Sequence, residues 1–164
     1  MSTLGIPSDY AVARGLPARA EATRLVSIGA NPGGRDISLE PAAAAAWERM
    51  REAAAADGCT LVAISGFRSV ERQDEIIRGR LSRGEKIHDI LRTMAAPGYS
   101  EHHTGRAIDL GAPGEPLLTE GFSLTREYAW LVDHAHAYGF RLSYPRDNVH
   151  GIAFEPWHWC FEAS

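Results

Sequence analysis

The sequence has little of what marks several large classes of protein. It contains 2 cysteines, too few for a disulfide framework. Cys59 and Cys160 are expected to be buried thiols, and the alternative is a single disulfide if the fold brings them together. No apolar run approaches the roughly 18 residues that a membrane-spanning helix needs. Residues 1–16 lack the basic start and the apolar stretch of a secretory signal peptide. The composition therefore excludes a disulfide-stapled scaffold and an integral membrane protein.

The charge pattern argues against a nucleic-acid partner. The 17 Lys and Arg residues are outnumbered by 21 Asp and Glu residues, which gives a formal net charge of −4. The basic residues are scattered and form no cluster that could follow a phosphate backbone. With 45% apolar and 23% charged residues, the 164-residue chain is predicted to be one globular domain.

Short apolar runs and helical patterns follow one another without regular alternation. Strands are predicted at residues 24–28, 60–64, 107–110, 140–142 and 157–161, and helices at residues 41–56, 70–79, 87–95 and 128–135. Residues 1–23 carry glycine and proline without a period and are predicted to be an irregular arm. Because the elements are mixed, the pattern favours an α+β fold, with a small central antiparallel sheet flanked by helices.

Two segments carry residues that could bind a metal ion: residues 100–109 (SEHHTGRAID) and the later run EPWHW. One histidine of the first segment, Asp109 and His158 would supply imidazole nitrogen and carboxylate oxygen, which zinc accepts. Three protein ligands leave a fourth position open, as catalytic zinc sites do. Spacing alone does not decide between His102 and His103. The pattern predicts a zinc site on the central sheet.

A second carboxylate, Glu155, lies three residues before His158. In a regular strand the two would face opposite sides, but Pro156 interrupts the strand, and a bend there could bring Glu155 beside the metal. A carboxylate in that position can take a proton from water and return it to a leaving amine. The segments thus predict a zinc peptidase. The alternative is that the 7 histidines of the chain pack or lie on the surface without a metal.

The pattern SxHxxGxAxD from Ser100, followed by ExxH from Glu155, resembles the signature of the VanY-type D-alanyl-D-alanine carboxypeptidases. That group belongs to a larger set of zinc peptidases, which includes D-Ala-D-Ala dipeptidases and phage L-Ala-D-Glu endopeptidases and is related to the hedgehog signalling domain. The run SGFRS at residues 65–69 also fits. The similarity extends over residues 61–161, most of the chain.

The resemblance implies a role for each residue of the metal site. It gives His102, Asp109 and His158 as the ligands of one zinc ion per chain and leaves His103 as a neighbour. It gives Glu155 as the general base.

Three further residues receive roles from the same resemblance. Arg68 would polarise the scissile carbonyl or hold a substrate carboxylate, tasks that suit its fixed charge and planar fork. Gln73 and Ser100 would contact the substrate. The alternatives are structural: an ion pair for Arg68, and hydrogen bonds that hold loops for the other two.

The implied substrate is a peptidoglycan stem peptide or muropeptide, from which the enzyme would release a terminal D-alanine. The alternatives are an endopeptidase of the L-Ala-D-Glu type, an L,D-carboxypeptidase, and a non-catalytic zinc domain that binds cell-wall peptides. Glu155 favours catalysis, because a purely structural site needs no base. Without a signal peptide, the chain as written is expected in the cytoplasm, or at the cell wall if a leader was trimmed or another route exports it.

Overall fold

Antiparallel strands form the two sheets of the computed structural model, which describes residues 4–162. The strands are β1 (Val26–Ala30), β2 (Asp36–Leu39), β3 (Val62–Ser65), β4 (Ala107–Gly111), β5 (Phe140–Leu142) and β6 (His158–Phe161). The central sheet has the order β3-β4-β6-β5, and β1 pairs with β2 in a separate two-stranded sheet. The predicted α+β fold with a small antiparallel sheet is confirmed.

Five α-helices surround these strands within residues 4–162: α1 (Tyr10–Arg14), α2 (Pro41–Ala56), α3 (Val70–Ser82), α4 (Ile87–Ile90) and α5 (Arg126–His134). Helix α2 begins as its sequence indicates. Proline suits the first turn, and the Glu40 side chain accepts hydrogen bonds from the backbone nitrogens of Ala42 and Ala43. Ser69 caps α3 in the same way by accepting from the Arg72 nitrogen at 3.0 Å.

The main core lies between the central sheet and helices α2 and α5. Trp47 and Met50 of α2 contribute to it, together with Ile108 of β4, Phe140 of β5 and Trp159 of β6, and all five are at most 3% exposed. Since alternate residues of a strand face opposite sides, burying Ile108 and Trp159 in this core turns their neighbours Asp109 and His158 toward the other face.

Several predicted elements differ from those in the structure. The helix predicted at residues 87–95 ends at Ile90, whose carbonyl accepts hydrogen bonds from the Thr93 nitrogen and hydroxyl, and the following residues form tight turns. The arm at residues 1–23 is not wholly irregular: it contains α1, whose Tyr10 packs with Leu91. Strand β2 was not predicted.

Both cysteines are buried and free, as predicted. In the part of the chain that the structure describes, no helix has the length and apolarity to cross a bilayer.

Candidate active site

Three side chains able to bind a metal converge on one face of the central sheet. Asp109 of β4 lies between Ser65 of β3 and His158 of β6 in the strand register. His102 comes from the 3-10 turn Glu101–Thr104, just before β4. His102 Nε2 and His158 Nδ1 lie 3.3 and 3.4 Å from Asp109 Oδ1. The ligand atoms of the three residues all lie within 4.8 Å of one another, so they can hold one ion.

Hydrogen bonds leave one nitrogen of each imidazole free for a metal. His102 Nδ1 lies 2.7 Å from the Gly66 carbonyl oxygen, which can only accept, so Nδ1 carries the proton and Nε2 keeps its lone pair. His158 has the opposite arrangement. Its Nε2 lies 2.9 Å from Glu101 Oε1, and its Nδ1 faces Asp109. Partners of this kind fix the tautomer and the ring orientation of metal-binding histidines.

The Asp109 carboxylate provides the clearest sign that these residues fit a cation. Its Oδ2 accepts a hydrogen bond from Ser65 Oγ at 2.6 Å. Its Oδ1 is buried and has no hydrogen-bond partner among residues 4–162. A buried carboxylate oxygen without a partner is costly, and His102 Nε2 and His158 Nδ1 both face it. A cation satisfies all three groups at once.

The pKa values of the three groups reflect both their burial and the charges of their neighbours. Burial alone would raise the pKa of Asp109, but the two imidazoles hold it well below its usual range. Burial lowers the pKa of His102, which favours the neutral imidazole that a metal needs. Burial would lower the pKa of His158 too, but the carboxylates of Asp109 and Glu101 outweigh it and raise that pKa. A divalent cation would take the place of the proton on His158.

Glu155 lies beside this cluster because the chain turns at Pro156 before β6 begins. The His158 backbone nitrogen donates to the Glu155 carbonyl at 3.2 Å, which closes the turn. As a result, Glu155 Oε2 lies 3.7 Å from His158 Nδ1, on the same side as the cluster. Burial raises the pKa of Glu155 to about 7; His158 opposes this shift and Asp109 adds to it. A carboxyl group with such a pKa can take up and release a proton near neutral pH.

Arg68 borders the same cleft, and a buried glutamine fixes its direction. Arg68 Nη1 donates to Gln73 Oε1 at 2.9 Å, while Gln73 Nε2 donates to the Ala95 carbonyl at 2.7 Å. Within residues 4–162, no carboxylate forms an ion pair with Arg68. Burial lowers the pKa of Arg68, but a guanidinium stays charged. Its charge is therefore available to a bound molecule.

The structure gives Gln73 and Ser100 local contacts. The Gln73 amide is engaged at both ends and is 1% exposed, so it positions Arg68. Ser100 Oγ accepts from the His102 backbone nitrogen at 3.2 Å and caps the turn that carries this histidine. Both residues border the cleft.

His103 differs from His102 in that both of its ring nitrogens are engaged by backbone groups. Its Nδ1 lies 2.7 Å from the Arg68 carbonyl oxygen, and its Nε2 accepts from the Gly98 nitrogen at 3.0 Å. The residue is fully buried. It ties two loops together and presents no free nitrogen.

Sequence reasoning missed three residues of the site. Glu101 hydrogen-bonds to His158, and Ser65 hydrogen-bonds to Asp109. The Tyr144 ring packs 4.9 Å from the His158 ring, centroid to centroid, and borders the cleft. The position of Glu101 inside the SEHH run was the available signal for that residue. No sequence pattern marks Tyr144, and only the folded structure shows that it lies beside His158.

One cleft of about 380 Å³ gives access to the metal-binding cluster and to Glu155 and Arg68. Its walls include His102, Asp109, Glu155, His158 and Arg68. The remaining wall consists of residues from other segments, namely Gln73, Arg80, Thr93, Met94, Ala95, Ser100, Leu118, Tyr144 and Trp157. A cleft of this volume is large enough for a small ligand or the end of a peptide.

Comparison with known proteins identifies similar sequences. A family model described as "VanY: D-alanyl-D-alanine carboxypeptidase" matches residues 36–164. A D-alanyl-D-alanine carboxypeptidase of Enterococcus faecalis (strain ATCC 700802 / V583) is 34% identical over 119 residues, which are 66% of this chain. The chain spans 42% of the length of that relative and 43% of a further relative from Bacillus subtilis (strain 168).

Solved structures with the same fold are also similar in sequence. The LdcB LD-carboxypeptidase has a TM-score of 0.78 and 32% identity, and the match covers 88% of this chain and 71% of that one. A vancomycin-resistance D,D-pentapeptidase VanY, in complex with Zn(II), has a TM-score of 0.69 and 26% identity. That match covers 89% of this chain and 82% of the other.

Proposed function

Since this chain belongs to the VanY family of D-alanyl-D-alanine carboxypeptidases, we propose that it is a zinc-dependent peptidase that releases a terminal D-alanine from peptidoglycan stem peptides. The observation that carries the proposal is the position of Glu155. Its Oε2 lies 3.7 Å from His158 Nδ1, in a cleft that also exposes Arg68. A metal site that served only the fold would need neither a proton acceptor nor an access route.

Zinc is the metal that the ligand set and the similar VanY structure support. The ligand atoms would be His102 Nε2, Asp109 Oδ1 and His158 Nδ1, for one zinc ion per chain. When bound, zinc supplies Lewis acidity toward a carbonyl oxygen and makes water easier to deprotonate.

The remaining steps belong to residues of the chain itself. Glu155 Oε2 takes the proton of the attacking water and later delivers it to the nitrogen of the departing D-alanine. Arg68 stabilises the negative charge that develops on the carbonyl oxygen, or holds the terminal carboxylate of the substrate. Gln73 keeps the guanidinium pointed at that position through its 2.9 Å hydrogen bond.

A second candidate is an L,D-carboxypeptidase, which the similarity to the LdcB structure favours. Both enzymes would release D-alanine, but from different bonds. The D,D-enzyme cuts between two D-alanines at the end of a pentapeptide stem. The L,D-enzyme removes the one D-alanine that follows an L-centre in a tetrapeptide stem.

Purified zinc-loaded protein, incubated with each of these stem peptides, tests the proposal by mass spectrometry. We expect the pentapeptide to lose one alanine. Shortening of the tetrapeptide alone would favour the second candidate. Cleavage inside the stem would contradict both, and the absence of any product from a protein that binds zinc would make it a binding domain.

The Glu155→Gln substitution tests the proton acceptor. Because the amide has the same shape but cannot take a proton, we expect one zinc per chain to remain and turnover to fall about 10²–10⁴-fold. Glu52→Gln, a change of the same kind at an exposed position of α2, is the control and should leave turnover unchanged. Normal turnover in Glu155→Gln would refute this role.

A further inference from the structure

Glu101 is a buried charge that the proposed mechanism does not use. It is 4% exposed and belongs to the turn that also carries His102, yet it is not among the residues that line the cleft. It lies behind His158, on the side away from the cleft. A buried carboxylate persists only when its neighbours compensate its charge and hydrogen-bond to both oxygens.

The contacts of Glu101 divide between its two oxygens. Oε1 lies 2.9 Å from His158 Nε2. Oε2 accepts from Arg141 Nη2 at 2.8 Å and lies 3.6 Å from Arg19 Nη2. One oxygen thus faces a proposed metal ligand, and the other faces two guanidinium groups.

From this arrangement we propose that Glu101, held by Arg141 and Arg19, is a positioning residue that sets the tautomer and the ring orientation of His158 for zinc. The inference rests on the proposed function, since it assumes that His158 Nδ1 binds the metal. An ionised carboxylate can only accept, so Glu101 holds the proton of His158 on Nε2, and Nδ1 is the nitrogen that is left for zinc when the ring is neutral. Without Glu101, the ring can adopt the other tautomer or turn over about its Cβ–Cγ bond.

The two arginines extend the site to parts of the chain that do not reach the cleft. Arg141 belongs to β5, and Arg19 belongs to the N-terminal arm. The Arg19 side chain is 30% exposed, and the carboxylate with which it forms an ion pair within residues 4–162 is that of Glu101. The N-terminal arm and the edge strand β5 would therefore support zinc binding indirectly, through the contacts of Arg19 and Arg141 with Glu101.

The alternative is that Glu101 only fastens its turn to β5. Two variants separate the possibilities. Glu101→Ala removes the acceptor and the charge, and we expect the zinc Kd to rise about 10–100-fold, the range found when such supporting groups are lost. Glu101→Gln keeps an oxygen that can accept from His158 Nε2 but lacks the charge, so its Kd should lie between those of Glu101→Ala and the wild type.

The experiment measures zinc Kd by chelator competition, and the His158 tautomer by long-range ¹H–¹⁵N NMR of the zinc-loaded protein. Glu162→Gln is the matched control. Glu162 also pairs with Arg141, but its side chain is 61% exposed and does not contact His158. We expect the wild type and this control to show a single tautomer protonated at Nε2 and equal zinc affinity, and Glu101→Ala to show mixed tautomers.

Wild-type zinc affinity and a single His158 tautomer in folded Glu101→Ala would overturn the inference. If that variant does not fold, Glu101→Gln decides: zinc affinity equal to that of the wild type would overturn it. KM for the stem peptide should not change in Glu101→Gln, because Glu101 does not border the cleft. Failure of the wild type to bind zinc would instead refute the proposed function, so the two failures are distinguishable.

Discussion

The adjacent residues His102 and His103 differ in the hydrogen bonds of their ring nitrogens, and this difference decides which of them can bind the metal. His102 has one ring nitrogen free, whereas both nitrogens of His103 are engaged by backbone groups. We therefore expect His102→Ala to lose bound zinc and His103→Ala to keep one zinc per chain while becoming less stable. Metal analysis of both purified variants checks this. Zinc loss in His103→Ala but not in His102→Ala would reverse the assignment.

A second prediction concerns the planar shape of the charged side chain at position 68. Lysine keeps the charge but not the planar fork that the Gln73 hydrogen bond orients. We expect Arg68→Lys to lower kcat by about 10²–10³-fold, as loss of one donor to a developing oxyanion does, and to leave zinc affinity unchanged. Arg72→Lys, at an exposed position in the first turn of α3, is the control. Equal kcat in the two variants would show that Arg68 does not act on the reacting group.

Sequence reasoning identified residues by their chemistry, and it missed those that act through contacts between distant segments. His102, Asp109 and His158 could be picked out because ligand chemistry and a family pattern single them out. Glu101 lies 57 positions from His158, and Ser65 lies 44 positions from Asp109. Serine and glutamate are common at exposed positions, so only the sheet register and burial reveal what these two do.

Strong local patterns predicted secondary-structure elements well, and tertiary contacts decided the others. Helix α2 has strong helix formers and a proline at its start, and β5 lies at residues 140–142 as predicted. Strand β2 exists because it pairs with β1, and sequence periodicity does not report such pairing. The predicted helix at 87–95 had the right apolar spacing, but it ends at Ile90 and tight turns follow.

A further prediction concerns Gly105, which lies in the turn between His102 and β4. Gly105 has φ +70°, and a Cβ atom there would lie 2.9 Å from the Glu40 nitrogen. Gly58 has φ +80° with nothing within 4 Å. We expect Gly58→Ala to lower the free energy of unfolding by about 1–2 kcal/mol, the cost of the left-handed conformation, and Gly105→Ala by more. Urea denaturation measures both, and equal losses would show that the close approach to Glu40 does not matter.

For the whole molecule, zinc should link the site to global stability, because its ligands come together only in the folded chain. At free zinc 100 times above Kd, binding should add about 2.7 kcal/mol. For a domain of this size, this gain in stability corresponds to a rise of ~5–10 °C in Tm. Thermal melts with zinc and with a chelator measure the difference. Asp109→Asn is the control, and a shift of the same size in that variant would mean that zinc binds elsewhere.

His102, Asp109 and His158 are expected to hold one metal ion that keeps a face open to the cleft. A crystal structure grown with zinc, with anomalous data collected on both sides of the zinc edge, tests this expectation most directly. We expect one anomalous peak at about 2.0–2.2 Å from His102 Nε2, Asp109 Oδ1 and His158 Nδ1, with Glu155 close by but not bound to the ion. A peak elsewhere, or a fourth protein ligand that closes the site, would contradict it.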